Sequence, residues 1–197
     1  MKHTPMNLFS GEHTMAVNKI AEMRNIFGWT WYPTYYFKMD AHPKEEPWEQ
    51  IAPMLGAKLF LWDGWKGKYP IDAEWIPKCK HHGYMYDNIK AVESWHLPTI
   101  CTAFGSMSAM IQLGVLMGYE EIYLLGCDMN YTDGESHAFD GYLPDTFNGK
   151  GDLDNGNNLA LHKMAKRCSP IPIYNATIGG GLEVYPRVDY IKILKGI

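Results

Sequence analysis

The sequence predicts an α/β fold, a mainly parallel three-layer sheet with helices on both faces. Three observations predict it. Residues 98–128 read as strand, small-residue turn, apolar helix and strand, which is one βαβ unit with an expected right-handed crossover. Short apolar runs recur at 12–17, 34–39, 57–62, 121–127 and 171–175, with helical or polar stretches between them. The run at 121–127, EIYLLGC, is almost uninterrupted, as in a strand covered on both faces.

Residues 12–17 form a short strand. Asn18 follows and opens a helical stretch at 19–27, where Asn is a favoured N-cap. Asn18 also stands at the carboxyl end of its strand. Residues 29–33 turn, and 34–39 make the next strand, ending in Asp40. A helix is expected at 45–55 and a third strand at 57–62. Residues 63–70, DGWKGKYP, are a loop, and 71–82 a short amphipathic helix broken by Pro77. Residues 84–96 have no clear period. After the βαβ unit, 132–157 are rich in Gly, Asp and Asn; a loop of that length in a compact domain commonly carries function. A helix at 158–167, a buried strand at 171–175 and a Gly-rich turn at 177–181 follow. Residues 182–197 pack or fray at the end.

The βαβ unit locates a site. A helix over 104–118 is roughly 22 Å long, and a strand over 121–127 roughly 23 Å. The helix start, Gly105 and Ser106, and the strand end, Gly126 to Asp128, therefore share one edge of the sheet. In open α/β sheets that edge binds ligands. Free N–H groups and the dipole at the helix start favour phosphate or carboxylate. Ser106 and Ser108 add hydroxyls, and Gly105 admits a ligand close to the backbone. A Ser/Thr N-cap without a ligand is the plain alternative. His137 follows Asp128 and Tyr131 on the same side. A neutral His there can act as acid or base, and a surface His without function fits as well.

The chain has 197 residues, 46% hydrophobic and 20% charged, enough for a single domain over 1–197 with its own core. The net charge of -4 and the absence of a long basic run argue against a nucleic-acid partner. Cys79, Cys101, Cys127 and Cys168 lie far apart in mostly apolar settings without metal-ligand spacing, so they read as reduced thiols of a cytoplasmic protein. No signal peptide and no transmembrane run stands out. Asp128, Asn130 and Gly134 miss calcium-loop spacing, because Asp133 stands where the invariant Gly belongs. No metal site is expected. Neither a P-loop nor a G-x-G-x-x-G fingerprint occurs. Gly179 to Gly181 have no strand–helix context and carry little alone.

Residues 105–139, GSMSAMIQLGVLMGYEEIYLLGCDMNYTDGESHAF, resemble the central segment of bacterial lipooligosaccharide sialyltransferases. That segment has a small-residue turn, an apolar helix ending in G-Y, an E-I-Y-L strand, G-x-D, and a loop ending in A-F. The layout is also similar to a Rossmann-like family of motility accessory factors and archaeal 6-hydroxymethylpterin diphosphokinases. V-N-K-I at 17–20, the run ending at Asp40, and Asn175-Ala176-Thr177 look like this second family.

The resemblance implies a glycosyltransferase using a nucleotide-activated sugar, with a CMP-sugar favoured, and a glycan or small-molecule acceptor. It implies no cofactor. Asn18 matches a nucleotide-contacting asparagine and Ser106 a serine of the phosphate-binding turn. Asp128 matches the G-x-D strand end. Tyr131 lies near a tyrosine that bonds the departing phosphate, and His137 falls where a second such tyrosine stands. Two features depart from the pattern. No His occurs at 149–158, where the family carries its general base, and only 1–11 are available for its first strand and Gly-rich turn. The rival implied by the second family is a Mg²⁺-dependent diphosphokinase, with Asp40 and Asp128 holding the ion. A non-catalytic nucleotide-binding module is the third alternative.

Overall fold

The computed structural model describes residues 5–38, 56–68, 71–77, 95–100, 106–129 and 155–195, the side chains of 155–158 excepted. Four strands lie side by side in chain order: β1 (Met15–Val17), β2 (Tyr35–Lys38), β3 (Lys58–Trp62) and β4 (Glu74–Ile76), all parallel. Val17, Phe37, Phe60 and Glu74 form one row across them. A second parallel ladder joins β5 (Ile122–Leu124) to β6 (Ile173–Asn175), with Ile122 opposite Ile173. The result is the expected Rossmann-like α/β arrangement.

Strand alternation sorts the core into two faces. Tyr36, Leu59 and Leu61 point to one face, where Ile20, Ala21 and Met23 of helix α1 (Ile20–Phe27) and Tyr190 of helix α4 (Tyr190–Lys195) cover them. Phe37 and Phe60 point to the other, against Ala109, Met110 and Leu113 of helix α2 (Ser106–Leu116). Ile111 of α2 turns instead to Leu124, Ile173 and Ala165, the last from helix α3 (Asn155–Cys168). One helix thus covers both ladders, which is why α2 is apolar almost all round. Tyr123 and Leu125 cross to the α1 side.

Four expectations change. The segment expected as a helix at 71–82 holds β4. Ala73 and Trp75 pack on one face and Ile76 on the other, a period of two, and β3 offers its open edge. Pro77 cannot extend that ladder as a donor. The strand expected at 121–127 is confined to Ile122–Leu124, because Gly126 has φ 73° and leaves extended geometry. Asn18 does not cap α1: Lys19 occupies the N-cap position, and Asn18 itself sits at φ 55°. Helix α3 also begins earlier than expected, at Asn155. The 45–55 helix, most of 84–96 and residues 132–154 fall outside the described residues. Of the strand expected to open the 98–128 unit, the described residues reach Ile100; it is buried, and its N–H donates to the Pro77 carbonyl at 3.2 Å. Among the described residues no helix is long and apolar enough to cross a membrane.

Candidate functional site

Helix α2 runs against the direction of the strands, and contacts along it fix its ends. A Cβ on Gly114 would meet Ile122 Cδ1, at the start of β5, at 3.0 Å. Met117 packs in the cluster of Met15 and Tyr35, the first residues of β1 and β2. Just beyond, the Tyr119 hydroxyl donates to Tyr35 Oη at 3.2 Å and lies 2.8 Å from His13 Nδ1. At the opposite end, Met107 belongs to the cluster of Cys127 and Met129, past the end of β5. Ser106 therefore stands at the carboxyl edge of the strands, with Asn18 after β1, Lys38 ending β2, Asp128 after β5 and Thr177 after β6.

Among the described residues the two ladders are separate, β1 to β4 in one and β5 with β6 in the other, and α2 packs on both. Helix α1 joins β1 to β2 on one face, and α2 leads into β5 on the other. With right-handed crossovers, helices on opposite faces mean opposite directions of travel along the sheet. Where such helices flank one open sheet, the general rule puts a ligand crevice beyond the strand ends, between the departing connections.

The expected residues fall as follows. Ser106 is the first residue of α2 and half-buried, and Asp128 is exposed. Asn18 is half-buried in a left-handed conformation, and its carbonyl accepts the Tyr36 hydroxyl at 3.0 Å. Gly126 supplies the positive φ that turns the chain out of β5. Ser108 is different. It is 1% exposed on the flank of α2 with buried Gln112, and its Oγ has no hydrogen-bond partner. Asp40, Gly105, Tyr131 and His137 lie outside the described residues.

The Gly126–Asp128 turn is bound to the Gly-rich turn after β6, which had no visible context in the sequence. The Cys127 N–H donates to Thr177 Oγ1 at 3.0 Å. The Gly181 N–H donates to the Asp128 carbonyl at 2.6 Å. A Cβ on Gly180, which has φ 77°, would lie 2.5 Å from both Asp128 Cα and Asp128 O. Only glycine fits there. Arg187 gathers the carbonyls of Thr177, Gly179 and Gly180 around its guanidinium.

Electrostatics separate exposed from inert groups. Burial, then the charge of Asp128, pushes the Cys127 thiol up to about 12, so it stays protonated at neutral pH and is no nucleophile. Behind it, buried His162 and Tyr185 form a closed pair: His162 Nδ1 lies 3.1 Å from Tyr185 Oη, and that hydroxyl donates to the His162 carbonyl at 3.1 Å. Burial lowers His162 to about 4 and raises Tyr185 above the ordinary phenol range. Among the described residues no group of His, Cys, Asp and Glu could hold a metal ion.

Two residues escaped the sequence reading. Lys38, 5% exposed, carries an amine to the carboxyl end of β2 and is engaged by a neighbouring group. A charge closing the apolar run YYF was its signal, because lysine is almost never fully buried without a partner. Arg187 gave no local signal, since its contacts depend on a loop that folds back onto it. In comparisons with protein-family models, curated proteins and solved structures, the chain matches none of them.

Proposed function

We propose that the crevice binds a nucleotide, and that the protein is a glycosyltransferase of sialyltransferase-like type that uses a CMP-sugar without a bound metal. One observation carries this reading: the N-terminus of α2 and the Gly126–Asp128 turn stand at the same edge, beyond the carboxyl ends of the strands. The first turn of α2 offers N–H groups and a positive dipole end to a phosphate. Ser106 adds a hydroxyl. Donors held there stabilise charge as it develops on the nucleotide leaving group. Asp128, exposed at the same edge, is the residue that would act on the sugar or the acceptor. Tyr131 and His137, which the resemblance brings to the departing phosphate, lie three and nine positions after Asp128 in the chain. The acceptor is a glycan or a small molecule, and the working compartment the cytoplasm.

Thermal melting with CMP, CDP, UDP, GDP and ATP, each with and without Mg²⁺, tests the reading. At 100 times the dissociation constant, binding stabilises by about 2.7 kcal/mol. For a domain of this size that raises the melting temperature by roughly 5–10 °C. CMP should act without metal, and Ser106→Ala should remove about 1.5–3 kcal/mol of that affinity as one charge-assisted hydrogen bond is lost. An ATP response that requires Mg²⁺ would replace transfer of a sugar by transfer of diphosphate. Silence across the panel would leave a module that binds no nucleotide.

A further inference from the structure

We propose that Arg187 is a positioning residue of this cleft: it shapes loop 177–181 so that the loop holds Asp128 in place. The proposal rests on the nucleotide cleft described above only for its functional consequence. Arg187 is itself anchored by backbone. It bridges in parallel to Asn175 at the end of β6, with the Asn175 N–H donating to Pro186 O at 2.8 Å and the Val188 N–H to Asn175 O at 3.0 Å. From there its guanidinium faces inward over the loop. Nη1 donates to Thr177 O at 3.2 Å and Gly179 O at 2.7 Å. Nη2 donates to Gly180 O at 2.8 Å and to Glu183 Oε1 at 2.7 Å. Nε donates to the same carboxylate oxygen at 2.9 Å. Only the planar fork of arginine presents so many donors in one plane.

These bonds do not serve burial. Ile178, inside the loop, is 72% exposed, and Gly179 to Gly181 are exposed as well. An exposed ion pair such as Arg187–Glu183 contributes little stability by itself. What the bonds determine is the loop's shape. Gly179 and Gly180 sit at φ 72° and 77°, with three carbonyls turned toward one cation. In that shape the Gly181 N–H and the Gly180 Cα reach the Asp128 backbone from one side, while Thr177 Oγ1 takes the Cys127 N–H. The next residue, Met129, is then held at φ 47°, a conformation that a non-glycine residue keeps only when its surroundings impose it. The path runs from β6 through Arg187 and the glycine loop to Asp128.

Hydrogen exchange on the full chain without ligand reads this coupling. Arg187→Ala should speed exchange about tenfold or more in peptides covering 177–181 and, together with them, 126–129, while peptides from β2 and α2 stay unchanged. Arg187→Lys should behave the same, because one ammonium cannot face three carbonyls and a carboxylate. Glu183→Gln, which leaves the carbonyl bonds in place, should keep most of the protection. Faster exchange confined to 177–181 overturns the proposal, as does a uniform rise across the chain, which would mark a role in stability alone. Where wild-type protein binds CMP, both Arg187 variants should bind it at least tenfold more weakly; unchanged affinity also overturns the proposal. Where wild-type protein binds no nucleotide, the cleft reading fails, and the exchange data still decide whether Arg187 holds Asp128.

Discussion

Acid should destabilise this protein through one buried histidine. His162 is 6% exposed on α3, against Tyr185. With the ring proton on Nδ1 it donates to Tyr185 Oη, whose own proton goes to the His162 carbonyl, so the neutral ring satisfies the pair. A second proton would place a charge where little water reaches, and burial lowers the group from 6.5 to about 4. The unfolded chain takes up that proton near pH 6.5, and the native chain does not. Stability is therefore independent of this group above about pH 6.5 and falls as pH drops from there toward about 4. Each unit contributes about 1.36 kcal/mol. Between about pH 7.5 and 4.5 the loss is about 2.5 kcal/mol, or roughly 5–10 °C in melting temperature. Carboxylates titrate in the same range, so the informative quantity is the difference between wild-type protein and His162→Gln. Urea midpoints for both at several values of pH between about 7.5 and 4.5 give it. Wild-type protein should lose about 2–3 kcal/mol more than the variant over that span. Parallel profiles would show that His162 does not remain neutral in the native state, and would refute the argument.

Ser108→Ala removes a buried hydroxyl without a partner and puts a better helix former in its place. It should raise stability by about 1 kcal/mol, and a drop in the melting temperature would show that the hydroxyl is paired. Leu113→Ala opens a cavity between α2 and the β2–β3 face and should cost about 2–5 kcal/mol in a urea titration; a loss below about 1 kcal/mol would contradict the packing of that face. The Cys127 thiol, buried and pushed up to about 12, should resist iodoacetamide at neutral pH in native protein. Unfolding in denaturant should release all four cysteines to thiol titration, and a shortfall would reveal a disulfide or a bound metal.

The sequence by itself determined the class and most of the elements. Runs such as YYFK and KLFLW alternate Tyr36 against Phe37 and Leu59 against Phe60, and that period of two survives whichever strand lies alongside. The apolar wrap of α2 and the Ile-Tyr-Leu run after it implied a helix buried between layers and a covered strand. Chain order with short crossovers then put Ser106 and Asp128 at one edge. Tertiary structure alone decided the rest. Glu74–Ile76 became a strand because β3 presented unpaired backbone groups, a demand that the local helical pattern does not register. Asn18 left the capping role for a left-handed turn where the Tyr36 hydroxyl takes its carbonyl. Gly180 carries no side chain because the Asp128 backbone occupies the place of its Cβ, and Arg187 completes that contact from the far side of the loop. Periodicity records that a residue is covered and on which face. It does not record what covers it, because the covering group comes from a distant part of the chain and its position is set only when the two ladders and their helices pack together.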